Sequence, residues 1–439
     1  MHTKETPKDR LAVWLLAVMA LFLFADQNLL APNLTAIAND FGFDALQRDV
    51  KLGGQISLAF WILGGIVSLS IGYLSDISSR KKLFVLVILV GEIPCLLTGF
   101  AQSYGQLFWL RALTGIGIGG ALPLIFSLLG DYYPANRRAA ASAYIGLAMA
   151  LGVALGQLVA GFLGPSYGWR LPFILVAIPN FVLALIFWKW VKEPRRGQTE
   201  DSLRWLIDQG LVYDRKITWQ DYRRLFTIDT NRLAFVQAIF GTVPWGVFFI
   251  YLNDFYAQEK GFSVEMATLI VMFIGLAAII GGLAGGLIGN ALYNRKARNL
   301  PLFCAVASMA GVIPTLLLIN YQPVEPESSA MALPLVFGFL SGFTVALTGP
   351  NVRAILLNVN TPETRGSIFS LFNLSDDLGK GLGPALISVF IVIFGRTMAL
   401  NIATLFWLIC GLFLLWMVRT FPKDEQRMQA RLAQLARPQ

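Results

Sequence analysis

The sequence is poor in charge and has almost none of the residues that usually serve catalysis and metal binding. Of its 439 residues, 14% are charged, three are cysteine, and the one histidine is His2. A single histidine in the N-terminal tail excludes histidine proton relays and histidine metal sites in the spans. The cysteines all fall inside apolar runs, which excludes a disulfide framework and indicates small core side chains. No Gly-x-x-x-x-Gly-Lys-Ser/Thr sequence occurs, so nothing supports the use of ATP.

Long apolar runs recur along the whole chain. Hydrophobic residues make up 56% of the sequence, and the mean hydropathy is +0.62. A soluble globular chain contains roughly 45–50% apolar residues, and a run of about 20 apolar residues can cross a membrane as a helix. The sequence therefore predicts an all-α membrane protein with twelve transmembrane helices, at residues 11–35, 52–74, 82–101, 106–130, 139–163, 169–191, 232–256, 263–292, 299–320, 331–352, 366–394 and 397–418.

Positive charge is distributed unevenly between the loops. About 27 of the 35 Lys and Arg residues fall in the two tails and in alternate loops, and about five fall in the opposite loops. Because positively charged loops stay in the cytoplasm, this bias predicts an inner or plasma membrane protein with both termini in the cytoplasm. The net charge of +9 is then a topology signal that also favours contact with anionic membrane lipids, and it does not indicate nucleic-acid binding.

The two halves of the chain resemble each other. The motif Pro-x-x-Arg occurs at position 134 and again at 362, and Leu-Gly-x-x-Leu-Gly occurs at 151 and again at 378. Two nearly equal offsets indicate a duplicated unit of six spans. We therefore expect two pseudo-symmetric six-helix bundles, at residues 1–192 and 231–420. A cytoplasmic linker at 193–230 would join them, and a cytoplasmic tail would follow at 421–439.

Two local motifs are similar to those of a known family. Gly72, Asp76, Arg80 and Lys81 form the pattern G-x-x-x-D-x-x-x-R-K after the second span, and Arg111 opens the pattern R-x-x-x-G-x-G in the fourth. Both patterns resemble signature motifs of the major facilitator superfamily. Within it, the stretches FADQNLLAPNLTAIANDFGF and LRALTGIGIGGALP most resemble the Spinster-like transporters. The resemblance implies two bundles that rock around a central site. It also implies that Gly72, Asp76, Arg80 and Lys81 belong to a cytoplasmic gate.

The sequence departs from the Spinster pattern at two positions. Gln27 stands where that family usually has arginine, and Ile118 stands where it usually has glutamate. One positive and one negative group are missing together, so the local charge stays balanced. Because the missing glutamate would titrate, the resemblance leaves the coupling mechanism open.

Asp26 and Arg111 are charged residues inside spans 1 and 4. The resemblance implies that both spans face the central cavity, so we expect the two side chains to meet. A carboxylate beside a guanidinium costs less in a low dielectric than either group alone. Since protonation of Asp26 would release Arg111, we expect this pair to couple protons to transport; a permanent structural ion pair is the alternative.

Span 11 carries Asp376, Asp377 and Lys380 about halfway along its length. A bare charge in lipid costs roughly 2.5–3.5 kcal/mol. Lys380 has the right spacing to pair with either acid on the same helix, which leaves one acid over. The corresponding positions of span 5 carry no charge, so the fold itself does not need charge there. We expect a substrate- or proton-binding cluster; a structural pair plus one hydrated aspartate is the alternative.

Further polar and aromatic residues are candidates of lower rank. Glu92 lies inside span 3 and is interpreted as a polar packing contact to span 2 or 4, with a coupling role as the alternative. Gln27, Gln237, Trp245 and Tyr251 are expected to contact substrate, with lipid contact or core packing as the alternative.

Together these features predict a secondary active transporter that alternates access, is driven by protons and needs no cofactor. The Spinster resemblance implies an amphipathic lipid substrate, such as a lysophospholipid or a sphingoid compound, whose phosphate Arg111 or Lys380 would hold. The alternative is a small organic anion or a sugar acid held by the same basic residues. A membrane enzyme is disfavoured because no nucleophile motif or metal-ligand cluster occurs, and a non-transporting receptor is the remaining class. We expect a monomer.

Overall fold

The computed structural model describes residues 7–133, 135–194, 223, 225–323, 331–360 and 364–435. Within these ranges the chain is helical and contains no strand. The first six spans are Pro7–Ala25 continued by Leu34–Asp40 (span 1), the π-helix Arg48–Gln55 continued by Ile56–Ile77 (span 2), Arg80–Thr98 (span 3), Tyr104–Tyr132 (span 4), Ala135–Tyr167 (span 5) and Arg170–Trp190 (span 6).

The other six spans follow the same pattern of long apolar helices. They are Asp229–Glu259 (span 7), Val264–Arg295 (span 8), Asn299–Ala310 with Val312–Asn320 (span 9), Ala332–Ala346 with Gly349–Val359 (span 10), Arg365–Phe394 (span 11) and Arg396–Leu435 (span 12). Span 12 therefore stays helical well into the stretch that the sequence analysis assigned to the tail.

Large apolar side chains are exposed along these helices. Leu287 is 77% exposed, Leu283 71% and Leu185 67%. Apolar surface on this scale is found where a protein meets lipid or another apolar partner. Among the described residues, eleven helices are long and apolar enough to cross a membrane. Span 3 is more polar because its first turn is basic and Glu92 lies within it. The described residues thus have the surface of a multi-pass membrane protein.

The chain divides into two compact units. The first comprises Met1–Phe43 and Ala59–Lys216, and the second comprises Asp44–Leu58 and Ile217–Gln439. The segment Asp44–Leu58, which begins span 2, is therefore grouped with the second unit, which the hydropathy pattern did not indicate. The predicted domain boundaries stay predictions, and most of the predicted linker lies outside the described residues.

The sequence repeat reappears in the packing within each unit. In the first unit span 1 packs along span 5 and span 3 along span 6, and in the second unit span 7 packs along span 11 and span 9 along span 12. Each pair in one unit corresponds to the pair six spans later in the other. The prediction of two pseudo-symmetric six-helix bundles is confirmed.

Glycines let spans 7 and 11 approach each other backbone to backbone. A Cβ atom on Gly246 would lie 2.8 Å from Lys380 Cα, and one on Gly383 would lie 3.0 Å from Val243 Cα. Gly379 lies against the Ile239 carbonyl in the same way. Because lipid tails are as apolar as leucine, helices in a membrane associate through such close contacts rather than by the hydrophobic effect. These glycines fix the position of the charged residues of span 11.

Replacement of Gly246 by alanine should therefore disturb the fold at this contact. We expect Gly246→Ala to lower stability by about 1–3 kcal/mol, because the added methyl group meets backbone that cannot rotate away. Thermal unfolding of the purified protein in detergent measures the effect. Gly275→Ala is the matched control, since a Cβ atom at this helical position meets nothing within 4 Å; equal melting temperatures for the two variants would contradict the packing argument.

Candidate coupling and substrate sites

Span 1 is interrupted at Asp26. The α-helix ends at Ala25, and two 3-10 turns, Asp26–Asn28 and Ala31–Asn33, precede the helix Leu34–Asp40. A helix that ends inside a membrane leaves backbone carbonyls without helical donors, and these carbonyls need other partners. The carbonyl of Asp26 accepts a hydrogen bond from Arg111 Nη2 at 2.8 Å. The structure thus brings Arg111 to the backbone carbonyl of Asp26 and not, as was expected from the sequence, to the carboxylate, since neither carboxylate oxygen has a hydrogen-bond partner among the described residues.

Arg111 is sealed inside the first unit. It is 1% exposed, and its guanidinium lies 5.1 Å from the ring centre of Phe60 and 5.4 Å from that of Phe173. Stacking on aromatic rings stabilises a desolvated cation. Its Nε and Nη1 atoms have no hydrogen-bond partner among the described residues. Arg111 is therefore held by one hydrogen bond and two aromatic faces, which leaves hydrogen-bonding capacity on its guanidinium.

Glu92 of span 3 lies beside Asp26. It is fully buried, and its Oε1 atom accepts a hydrogen bond from the Asn180 amide of span 6. One side-chain sulfur or oxygen atom from each of Asp26, Glu92 and Cys95 lies within 4.8 Å of the others. The hydrogen-bond partner of Glu92 lies on span 6 and not on span 2 or 4, where the sequence predicts it. We call Asp26, Glu92, Cys95, Arg111 and Asn180 the Asp26 cluster.

Span 11 carries a second set of charges that is partly exposed. Lys380 Nζ lies 3.5 Å from Asp377 Oδ1, and the two side chains are 28% and 17% exposed. Asp376 is half-buried, and its backbone carbonyl accepts a hydrogen bond from the Thr242 hydroxyl at 2.9 Å. The same-helix pair of Lys380 with Asp377, which the sequence allowed, is present in the structure. We call Asp376, Asp377 and Lys380 the Lys380 cluster.

Two of the predicted substrate residues in span 7 are engaged inside the second unit. Gln237 is 5% exposed, and its amide donates to the Ala234 carbonyl and accepts from the Cys410 thiol. Tyr251 is fully buried, and its hydroxyl lies 2.8 Å from the Asp49 carbonyl. Both side chains have packing roles in this arrangement.

The other two candidates are more accessible. Trp245 is half-buried, stacks on Phe249 and meets the edge of Trp407. Gln27 is half-buried next to Asp26 in the 3-10 turn. These two positions fit a substrate role better than Gln237 and Tyr251.

The basic residues of the predicted cytoplasmic gate contact other residues of the first unit. Arg80 is 3% exposed, and its guanidinium pairs with Asp131 at the end of span 4 and with Glu193 just after span 6. Lys81 Nζ lies 5.3 Å from the ring centre of Trp188. Arg80 thus ties together the ends of three spans of the first unit. Both acidic partners, Asp131 and Glu193, come directly after an apolar run in the sequence, and this position was the signal that could have predicted them.

The predicted cytoplasmic gate also contains Gly72 and Asp76. Gly72 is half-buried, and a Cβ atom there would meet nothing within 4 Å. The side chain of Asp76 lies outside the described part of the structure.

A buried ion cluster in the second unit was not predicted. Arg396 at the start of span 12 donates from Nε to Asp49 at 2.9 Å and from Nη2 to Asp254 at 2.8 Å. Arg48 joins it, with Nη1 at 3.4 Å from the same carboxylate of Asp254. Two guanidinium groups and two carboxylates make the buried Arg396 cluster electrically neutral, and the more exposed Glu259 lies 3.9 Å from Arg396 Nε at its edge. It fastens the segment Asp44–Leu58 to spans 7 and 12.

Comparison with known proteins agrees with this fold. The family model of the Major Facilitator Superfamily matches residues 16–337 and 328–436. The chain belongs to the major facilitator superfamily. It is therefore a membrane transporter rather than an enzyme of a catalytic family.

Several superfamily members are similar along most of their length. The hexuronate transporter of Bacillus subtilis is 26% identical over 383 residues, which cover 86% of this chain and 87% of that protein. The cis,cis-muconate transport protein of Acinetobacter baylyi is 24% identical, with 85% and 87% covered. The inward-facing, unoccupied crystal structure of a bacterial homolog to the human lysosomal transporter Spinster superposes with a TM-score of 0.76 at 19% identity, with 95% and 98% covered. The predicted resemblance to Spinster transporters is thus supported at the level of fold.

The Arg396 cluster makes a stability prediction. We expect Arg396→Met to lower stability by about 3–5 kcal/mol, because the two buried aspartates would then share one arginine and carry net negative charge. Thermal unfolding in detergent measures the loss. The control is Arg427→Met, which removes a guanidinium that is 78% exposed and 3.5 Å from Asp424, so its effect should be at most about 1 kcal/mol. Similar melting temperatures for both variants would show that the cluster is not structural.

Proposed function

We propose that this superfamily member is a proton-coupled transporter of a small organic anion, a class that includes sugar acids and short carboxylates. The observation that carries the proposal is the Lys380 cluster, a lysine–aspartate pair inside a membrane span with both side chains partly exposed. Charged groups inside spans are rare and are usually functional. A partly exposed amine at this depth is the group that a carboxylate substrate needs.

Charge balance explains how a proton would drive binding at this pair. With Asp377 ionised, Lys380 has a counter-ion 3.5 Å away and has little need of a second anion. Once Asp377 takes up a proton, the substrate carboxylate replaces it as the partner of the lysine. Proton and anion then enter together, so the charge of the site does not change. This exchange is the basis of the proposed coupling at Asp376 and Asp377.

The Asp26 cluster has the opposite character. Asp26 and Arg111 are buried at 0% and 1% exposure, whereas the lysine and aspartate of span 11 are partly exposed. A sealed site suits a proton better than a substrate. We assign Asp26 and Arg111 to coupling, with Lys380 and the accessible side chains of Gln27 and Trp245 as candidates for contact with the substrate.

The second candidate substrate is an amphipathic lipid, as the resemblance of the span 1 and span 4 stretches to Spinster-like transporters implies. An acyl chain needs an apolar wall, which the sequence analysis assigned to the aromatic residues of span 7. Tyr251 is instead fully buried and hydrogen-bonded, and Trp245 packs on Phe249. The similar transporters named for hexuronate and cis,cis-muconate support the organic anion further, so the lipid ranks second.

Transport assays separate the two substrates. In proteoliposomes that contain the purified protein, we expect an inward proton gradient to drive uptake of a labelled sugar acid or dicarboxylate but not of a lysophospholipid. Lys380→Gln should reduce anion uptake about 10- to 100-fold, since a hydrogen bond to a charged group contributes about 1.5–3 kcal/mol. Lys189→Gln, at an exposed end of span 6, is the matched control. Lysophospholipid uptake alone, or unchanged anion uptake in Lys380→Gln, would contradict the proposal.

We also propose that the protein lies in the plasma membrane with both termini in the cytoplasm, because of the uneven charge of its loops. The three native cysteines are buried, so an introduced cysteine reports its own side of the membrane. Gln102→Cys, between spans 3 and 4, should react with an impermeant maleimide added outside cells. Lys296→Cys, between spans 8 and 9, should react only after the cells are opened, and both residues are exposed. The reverse labelling pattern would show that both termini lie outside the cytoplasm and would contradict the proposed topology.

A further inference from the structure

Two buried acids in the Asp26 cluster face each other without enough donors. Both carboxylate oxygens of Asp26 and the Oε2 atom of Glu92 have no hydrogen-bond partner among the described residues. The remaining oxygen of Glu92 accepts from the Asn180 amide. A buried carboxylate without a donor loses several kcal/mol of solvation. Three acceptor atoms that lack a donor therefore indicate that the two acids are not both ionised.

The charges of the cluster give the number of protons that the two acids bind. If both acids were ionised, Arg111 would neutralise one of them and leave a net charge of −1 in a fully buried site. One added proton makes the cluster neutral and also supplies a donor. Placed between the two carboxyl groups, that proton lets one acid donate to the other, which satisfies an oxygen on each side. Two carboxyl groups that share a site are known to hold one proton in this manner.

We propose that Asp26 and Glu92 form a carboxyl–carboxylate pair that binds one proton between them, with Arg111 as the counter-ion of the remaining negative charge. This deepens the proposed function and rests on it for the link to transport. It assigns to Glu92, on span 3, a direct part in proton binding. The acid of the pair that is ionised accepts the hydrogen bond, and the protonated acid donates it.

The surroundings of the pair contain no second counter-ion among the described residues. Span 3 contributes Cys95, whose thiol points to the Phe173 carbonyl at 4.0 Å. Span 4 contributes Arg111, span 6 contributes the neutral amide of Asn180, and span 5 packs against the end of the span 1 helix through a glycine. Arg111 is therefore the one positive charge at the pair, which fixes the number of protons at one.

Loss of the proton must coincide with access of water. Deprotonation would leave one uncompensated negative charge in a cluster whose residues are 0–1% exposed, and hydration is the available way to stabilise it. The sealed form of the unit is therefore compatible with the protonated pair and not with the deprotonated one. This requirement links the protonation state to opening of the unit.

Infrared spectroscopy of the purified protein tests the pair directly, because a protonated carboxyl group gives a carbonyl band that a carboxylate lacks. We expect Asp26→Asn and Glu92→Gln each to remove the same single band at neutral pH. In either variant the remaining acid is the carboxylate partner of Arg111 and needs no proton. Glu265→Gln, an acid in the first turn of span 8, should leave the band unchanged.

Several results would overturn the pair. Loss of the band in one variant only would assign the proton to one acid, and losses that add up to two bands would mean two independent protons. Absence of any such band in the wild-type protein would exclude the shared proton without use of a variant. If a sodium ion rather than a proton is bound between the two acids, uptake would depend on the sodium gradient and not on the pH gradient, which would also overturn the pair. If neither variant folds, the double variant Asp376→Asn/Asp377→Asn serves as the test, and we expect it to keep the band. Loss of the band in that double variant would assign the proton to span 11 and overturn the pair.

Transport separates failure of the pair from failure of the proposed function. If the proton at Asp377 and the proton of the pair both accompany a monovalent anion, a pH difference of one unit at zero membrane potential supports about 100-fold accumulation, and Glu92→Gln should reduce it to about tenfold. Equal accumulation by the wild-type protein and by Glu92→Gln would overturn the pair while the transporter stands. No accumulation of any anion by the wild-type protein, together with the expected infrared result, would overturn the proposed substrate and leave the proton site.

Discussion

The requirement that every charge inside the membrane be neutralised by a partner organises this structure. Lipid offers no water and no counter-ions, so a charged side chain in a span needs an opposite charge, a hydrogen bond or access to solvent. The Arg396 cluster meets the requirement with two arginines and two aspartates at full burial. The Lys380 cluster meets it with one ion pair and partial exposure. The Asp26 cluster is fully buried and balances only when one proton is counted.

These three solutions divide the work of a transporter. A neutral, sealed cluster with excellent geometry holds structure, as around Arg396. An exposed pair can exchange its partner for a substrate, as at Lys380. A sealed site that is neutral in only one protonation state responds to protons, as at Asp26. The same residue types thus acquire different roles from their exposure and from the number of charges that face them.

Much of the fold could be predicted from the sequence because hydropathy and charge bias act locally. The apolar runs gave the twelve spans, and the duplicated motifs indicated the two bundles. The partners of Asp49 could not be predicted in the same way, since Arg396 lies 347 residues further along the chain and no local pattern joins them. The break of span 1 after Ala25 was also missed, because the stretch stays apolar on both sides of it.

Glu92 shows most clearly why site prediction from sequence is limited. From the sequence alone, its position inside span 3 was interpreted as a polar packing contact. Its environment depends on three other helices: the end of span 1 presents Asp26, span 6 presents Asn180, and span 4 presents Arg111. Only when these are placed together does the count of two acids, one cation and too few donors emerge. A buried acid in a membrane span is therefore better judged by its partners than by its helix.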